Sequence, residues 1–243
     1  SDPLIGFDGS LTVNVAWVEQ TADSGKREIK VARSTDGGNN FYYNNSISET
    51  GVDSYCPALA TYNDNNIYVA YKGGDSIYFT RWSFLFSFAP PESISAGSQS
   101  PSCPVMLTGS NGTIYVVWSD NGDIWFSATS DSGFSFSLPE NLSQTEDSRS
   151  SSPRIVTNGP YLNVVWVEED IGNGDIFIAT YTDNGKTFLQ RENLSRSQNI
   201  PSVLPSVATD GKDHVYVVWE EGEHNNRHIY FISDPWRDGL PIL

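Results

Sequence analysis

The chain has 243 residues and carries 30 acidic side chains against 14 basic ones, a formal charge of −16. Such a charge repels phosphate backbones and anionic lipid headgroups, which argues against nucleic acid and anionic membrane surfaces as partners. The longest apolar runs, VYVVW among them, are strand-sized and too short to span a bilayer, and 13% aromatic residues against a single Met favour sheets over helices.

In chain order, a proline opens each of five similar units, at Pro3, Pro57, Pro104, Pro153 and Pro205. A large aromatic follows 13 or 14 residues later, at Trp17, Tyr71, Trp118, Trp166 and Trp219. From the second unit on, a short apolar segment, a polar turn and an alternating strand lie between the two (PALAT, YNDNN, IYVAY in the second unit). After the aromatic come a polar loop and a third strand (EIKVAR, SIYFTR, DIWFSAT, DIFIATY, HIYFIS). The first four units then close on SIS, SIS, NLS and NLS. Short strands with period-2 alternation in units of about 50 residues are the sequence form of a propeller blade. The expectation is therefore one all-β domain over 1–243, a five-bladed β-propeller of four-stranded antiparallel blades with limits near 3–56, 57–103, 104–152, 153–204 and 205–243. GLPIL at the C-terminus echoes SLPENL in the third unit. A complete fifth blade, packed on the first without a shared strand, is expected from it.

The turn after the third strand carries the most specific motif. STDGGNNF places Ser34, Asp36, Gly38 and Phe41, TSDSGFSF places Thr129, Asp131, Gly133 and Phe136, and YTDNGKTF places Asp183, Gly185 and Phe188 in one pattern. A carboxylate there can accept the N–H groups of its own turn, glycine supplies positive φ, and the aromatic is free to fold back into the sheet. These residues resemble the Asp-box, or BNR, repeats of sialidases and sialidase-like propellers, and NLSRSQNIPSVLPSVATDGKDHVYVVWEE is similar to the repeat of archaeal and bacterial surface proteins of that type. The resemblance implies a structural turn, on the face away from any binding site. A sialidase would further need three arginines on the substrate carboxylate, a Tyr–Glu pair and an Asp acid/base. The nine arginines here are scattered and there are five units where sialidases have six, so sialidase activity is not expected.

Loops following the repeat aromatic gather Glu19, Asp120, Asp123, Glu168, Glu169, Asp170, Asp175, Glu220, Glu221 and His224, with Arg154 and Arg227 able to reach the same rim. Clustered carboxylates can bind hydroxyl-rich ligands or a hard cation such as calcium, and equally form a solvated acidic face. No cofactor is required by any motif. The repeat aromatics are expected to pack between blades, while Trp82, Trp125 and Trp236 fall outside the pattern and are expected to be exposed. His224 and His228 would share a metal only on a helix, which is not expected there. Cys56 and Cys103 stand at the same repeat position, before Pro57 and Pro104, and are expected to pair as a disulfide. Asn44, Asn111, Asn141 and Asn193 head N-x-S/T triplets, the glycosylation acceptors of exported proteins.

These features point to an extracellular or cell-surface recognition or adhesion propeller without catalysis, its partner a glycan or a cell-surface protein. Two other readings stay open. One is a self-assembling structural subunit of a surface layer or filament. The other is a glycoside hydrolase, which needs two carboxylates roughly 5–5.5 Å or roughly 6.5–9.5 Å apart.

Overall fold

The computed structural model describes residues 3–7, 11–22, 25–48, 51–63, 66–83, 87–145, 148–170, 173–182, 187–197, 199–212, 214–223 and 226–234. Twenty strands and no helix occur among them. The first sheet joins β1 (Leu4–Phe7), β2 (Val13–Gln20), β3 (Arg27–Ser34) and β4 (Tyr43–Ser46) in that order. The second joins β5 (Ser54–Tyr62), β6 (Asn66–Gly73), β7 (Ser76–Ser83) and β8 (Ser87–Phe88), with β9 (Glu92–Ser93) also on β7. The third has β10 (Val105–Thr108), β11 (Ile114–Asp120), β12 (Asp123–Thr129) and β13 (Glu140–Asn141). The fourth has β14 (Arg149–Asn158), β15 (Tyr161–Asp170), β16 (Asn173–Thr182) and β17 (Thr187–Asn193). The fifth has three strands among the described residues, β18 (Ser202–Thr209), β19 (Val215–Glu223) and β20 (Asn226–Asp234). The expected closing strand GLPIL and Trp236 lie outside the described residues.

The chain divides into two compact units: Ser1–Asp120 with Ser127–Glu140, and Asn121–Phe126 with Asn141–Leu243. In the first unit Ala16, Val18, Ile29, Val31 and Ile47 of the first sheet pack with Val69 and Tyr71 of the second. In the second unit Val165, Val167, Ile176, Ile178 and Leu194 of the fourth sheet pack with Val215, Val217 and Trp219 of the fifth. The repeat aromatics stack on the ring directly across the ladder: Tyr71 on Tyr78, Trp166 on Phe177 and Trp219 on Tyr230, with centroids 5.6–6.1 Å apart.

Pro3 and Pro104 directly precede β1 and β10, as expected, but the other three repeated prolines lie inside their strands. Pro57, Pro153 and Pro205 each follow a residue of positive φ, Cys56 at 51°, Ser152 at 56° and Leu204 at 54°, where the ladder register shifts between Tyr55 and Ala58, Ser151 and Arg154, and Val203 and Ser206. Each proline marks a β-bulge inside the first strand, where its missing N–H leaves no ladder bond unmade. The strands therefore begin three or four residues before the proline, upstream of the limits expected from sequence.

The SIS and NLS triplets are hooks. Their serine hydroxyls accept the N–H of the isoleucine that begins the apolar run of the third strand: Ser48 from Ile29, Ser95 from Ile77, Ser143 from Ile124 and Ser195 from Ile176, at 2.7–3.0 Å. The residue before the serine returns its own N–H to that isoleucine's carbonyl, from Ile47, Ile94, Leu142 and Leu194. All four hooked isoleucines are fully buried.

In the turn after β3, Asp36 Oδ1 accepts from the Asn40 N–H and the Ser34 hydroxyl, and Oδ2 from Asn40 Nδ2. Hydrogen bonds led by those from Asn40 hold the carboxyl at about 2. Asp131 takes the same role after β12, accepting from Thr129, Phe134 and Ser135. Burial pushes its carboxyl up, but the bonds from Ser135 and Thr129 outweigh that and hold it at about 2. Gly133 needs its φ of 83°, and a Cβ there would sit 2.5 Å from the Phe79 ring. Phe136 packs edge-on against Phe79 at 4.7 Å. Phe41, expected to fold back likewise, is 45% exposed instead. Asp183 and Gly185, and the side chain of Phe188, lie outside the described residues.

Candidate functional site

The rim carboxylates are distributed over both units. In the first, Asp120 is buried and accepts from Ser98 Oγ (2.5 Å), the Gln99 N–H (3.1 Å) and the Ser100 N–H (2.8 Å), so it closes the loop before β10. Glu19 is exposed at the end of β2, 3.7 Å from Lys30 Nζ.

In the second unit the acids two residues beyond the repeat tryptophans accept the indole N–H. Trp166 donates to Glu168 Oε2 (3.3 Å) and Trp219 to Glu221 Oε2 (3.1 Å). Period 2 along a strand puts acid and indole on one face, which is why the W-x-E spacing recurs. Glu168 is 8% exposed, and its Oε1 accepts from Arg191 Nη2 (2.5 Å) and Ser148 Oγ (3.2 Å). Burial pushes the Glu168 carboxyl above the ordinary range, and Arg191, Trp166 and Ser148 pull it back only in part. Arg191 also donates to the Ser143 carbonyl (2.6 Å) and lies 4.6 Å over the Phe177 ring. Sequence reasoning missed Arg191; an arginine between Gln190 and Glu192 in a strand gives no signal beyond a solvated edge.

Asp123 and Asp175 begin or nearly begin their strands and bind the hooks. Asp123 accepts from the Ser143 and Thr145 hydroxyls, and Asp175 from those of Ser195 and Ser197 and from Asn193 Nδ2 (2.9 Å). Burial raises the Asp175 carboxyl, but the bonds from Ser197, Ser195 and Asn193 win and leave it lowered. Ser202 Oγ donates to Glu221 (3.0 Å) and lies 3.3 Å from Ser197 Oγ, which extends one polar chain from Trp219 to Asp175.

The same geometry bears on two of the expected acceptor asparagines. Asn141 and Asn193 stand in the hooks, where their Oδ1 atoms accept the N–H of Gln144 and Arg196, and Nδ2 of Asn193 is held by Asp175. The N-L-S triplet at Asn193 thus also serves the fold, through the hydrogen bond of Nδ2 to Asp175. Asn44 and Asn111 are exposed. Cys56 and Cys103 are joined in a disulfide, with Cα atoms 5.3 Å apart.

Glu169 and Asp170 are exposed at the end of β15, Arg227 pairs with Glu220 (3.0 Å), and Arg154 donates to the carbonyl of its neighbour Pro153. His224 lies outside the described residues. Among the described residues no group of three or more His, Cys, Asp or Glu side chains is placed to hold a metal ion. Trp82, expected to be exposed, is half-buried between Tyr43 (4.9 Å) and Phe88 (5.4 Å), with the Arg33 guanidinium over it. Trp125 is also half-buried. It follows Ile124 as Tyr78 follows Ile77 and Phe177 follows Ile176, so it belongs to the repeat pattern after all.

No protein-family model matches the chain, and no curated protein sequence matches it. Solved structures do. A protein of unknown function from Dyadobacter fermentans superposes with a TM-score of 0.64 at 14% identity, over 95% of this chain and 77% of that one. A Hadza microbial sialidase gives 0.57 at 14% identity, over 99% of this chain and 57% of the sialidase. A polysaccharide lyase of the ulvan lyase family gives 0.61 at 12% identity, over 97% and 68%. At these identities the likeness is one of fold, shared with propeller-type glycan enzymes.

Proposed function

We propose that the five sheets are the blades of one Asp-box β-propeller, which acts outside the cytoplasm by recognising glycans without cleaving them. The observation that carries the reading is the state of the rim acids. Asp120, Glu168 and Asp175 have both carboxylate oxygens engaged by their own loops, hooks and indoles, and Asp123 Oδ1 and Glu221 Oε2 are engaged likewise. A catalytic acid or base must be free to exchange a proton with a substrate atom within hydrogen-bond reach, and these five are held as structural acceptors. Glu169, Asp170, Arg154 and the Glu220–Arg227 pair are left on the surface, a polar set suited to hydroxyl-rich ligands.

The fold likeness to a sialidase and to a polysaccharide lyase supports glycans as the ligand class. The disulfide supports an oxidising compartment. No cofactor enters this reading, and calcium would act only by bridging surface carboxylates to a ligand.

A glycan array with the full chain, in calcium and in EDTA, tests it. Binding to a defined glycan class, weakened by Glu169→Ala/Asp170→Ala with the melting temperature unchanged, is the expected result. Release of reducing ends or unsaturated sugars from a bound polysaccharide, abolished by Glu168→Gln, would overturn the non-catalytic reading.

A further inference from the structure

One face of the second sheet carries Tyr62 on β5, Tyr68 on β6, and Phe79 and Arg81 on β7, with Tyr68 directly opposite Arg81 in the ladder. The turn after β12 lies over that face. Phe136 packs on Phe79, a Cβ at Gly133 would sit 3.4 Å from Arg81 Cδ, and Phe134 covers the Arg81 guanidinium, 3.5 Å from the ring centroid. The Tyr68 phenol is hydrogen-bonded to Ser132 and within electrostatic reach of Arg81 and of the Tyr62 phenol. Arg27, Arg191 and Arg227 each face a carboxylate, that of Asp53, Glu168 and Glu220. The Arg81 guanidinium has neither a carboxylate nor a hydrogen-bond acceptor among the described residues. Asp131, in the same turn as Phe134, has both oxygens taken by Thr129, Phe134 and Ser135.

We propose that Arg81, Phe134, Ser132 and Tyr62 form a further glycan contact, built on the Asp-box turn of the third sheet and selective for a sugar that carries one carboxylate, a hexuronate. This deepens the glycan reading above and rests on it. A guanidinium lying against a ring keeps its planar N–H edge open, and that edge matches a carboxylate in two parallel hydrogen bonds. The stack on Phe134 and the close approach of Gly133 hold the Arg81 side chain in place before a ligand arrives, so little ordering remains to be done on binding. Phe134 is 67% exposed and offers its outer face to the C–H face of a pyranose. The Ser132 and Tyr62 hydroxyls, exposed and half-buried, can exchange hydrogen bonds with sugar hydroxyls. The formal charge of −16 opposes a polyanion, as it does nucleic acid. A single carboxylate is opposed far less, because salt screens charges beyond about 8 Å at physiological ionic strength.

Isothermal titration of the full chain with a trisaccharide ending in one glucuronate, and with the same trisaccharide ending in glucose, tests it. The wild type should bind the glucuronate sugar about tenfold more tightly, the worth of one charge-assisted contact. Arg81→Gln should remove that preference, and Phe134→Ser should weaken binding of both sugars. In the unaltered chain the NMR signal of the Arg81 side-chain Nε–H should shift on addition of the glucuronate sugar and not of the glucose one, a readout that serves if the variants fold poorly. Equal affinity for the two sugars, a preference that survives Arg81→Gln, or tighter binding of a poly-glutamate peptide through Arg81 would each overturn the proposal, the last by assigning the site to an acidic protein. Array binding of neutral glycans alone would sink this proposal and leave the glycan reading standing, whereas binding of no glycan would sink both.

Discussion

The fourth and fifth sheets are built from the same repeat, yet they treat the same side chain in opposite ways. Ile176 on β16 is fully buried: its N–H goes to Ser195, its carbonyl to Leu194, and its side chain to the cluster of Val165, Val167 and Val217. Ile229 on β20, at the equivalent place, is 73% exposed. Identity and local strand pattern are equal, so what decides burial is what lies against the side chain, which for Ile176 is the cluster with Val165, Val167 and Val217. A repeat specifies which residues are able to form a core, and its neighbours decide which of them do.

The largest expected effect breaks that comparison directly. Ile176→Ala should destabilise by roughly 2–5 kcal/mol, the cost of a large-to-small change in a closed core. Ile229→Ala should stay within about 0.5 kcal/mol, as an exposed substitution does. Urea denaturation of both variants at one pH measures the difference, and equal losses would mean that β20 is covered in solution.

The second sharpens it at the rim. Glu168→Ala leaves Arg191 without its carboxylate and should cost about 2–4 kcal/mol, somewhat under a fully buried pair because the Arg191 side chain is 29% exposed. The matching acid of the fifth sheet, Glu221, makes no salt bridge among the described residues, so Glu221→Ala should cost less, about 1–2 kcal/mol for lost hydrogen bonds. The reverse order would show that the Ser202–Ser197–Asp175 chain matters more than the ion pair.

The two kinds of carboxylate also predict opposite pH responses. Asp36 and Asp131 have folded values near 2 against an ordinary 3.8, so their contribution is complete above about pH 4 and is lost as pH falls toward 2. Glu168 is raised, so the fold disfavours its charged form, and this contribution grows as pH falls through the ordinary glutamate range. Urea midpoints between pH 6 and 2 should therefore fall steeply in the wild type. In Asp131→Asn the low-pH slope should be shallower; an unchanged slope would mean that Asp131 titrates alike in the folded and unfolded chain.

Much of the fold was legible because repeats carry it: the strand order and the turns at Asp36 and Asp131 follow from period and offset. The meaning of several repeated letters was not. Pro57, Pro153 and Pro205 read as unit starts, as Pro3 and Pro104 are, because a bulge has no sequence mark except the proline itself. N-L-S read only as a glycosylation signal because the hook that the same three residues form is visible only in the bond from the Ile176 N–H to Ser195. Among the rim acids, a sequence shows the charges but not the hydroxyls and indoles that engage Asp120, Asp123, Glu168, Asp175 and Glu221.

The smallest predicted effect tests the bulge itself, in the fifth sheet where it is most exposed. Leu204 sits at φ 54°, a left-handed conformation that costs a residue with a Cβ about 1 kcal/mol, and its side chain is 58% exposed, so it returns little packing. Glycine removes the Cβ strain but adds disorder to the unfolded chain. Leu204→Gly should therefore shift stability by only a few tenths of a kcal/mol, toward stabilisation. In the fourth sheet Ser152 occupies the same bulge at 56°, and Ser152→Gly should behave alike. A loss above about 1 kcal/mol at Leu204 alone would mean that its side chain is covered in solution.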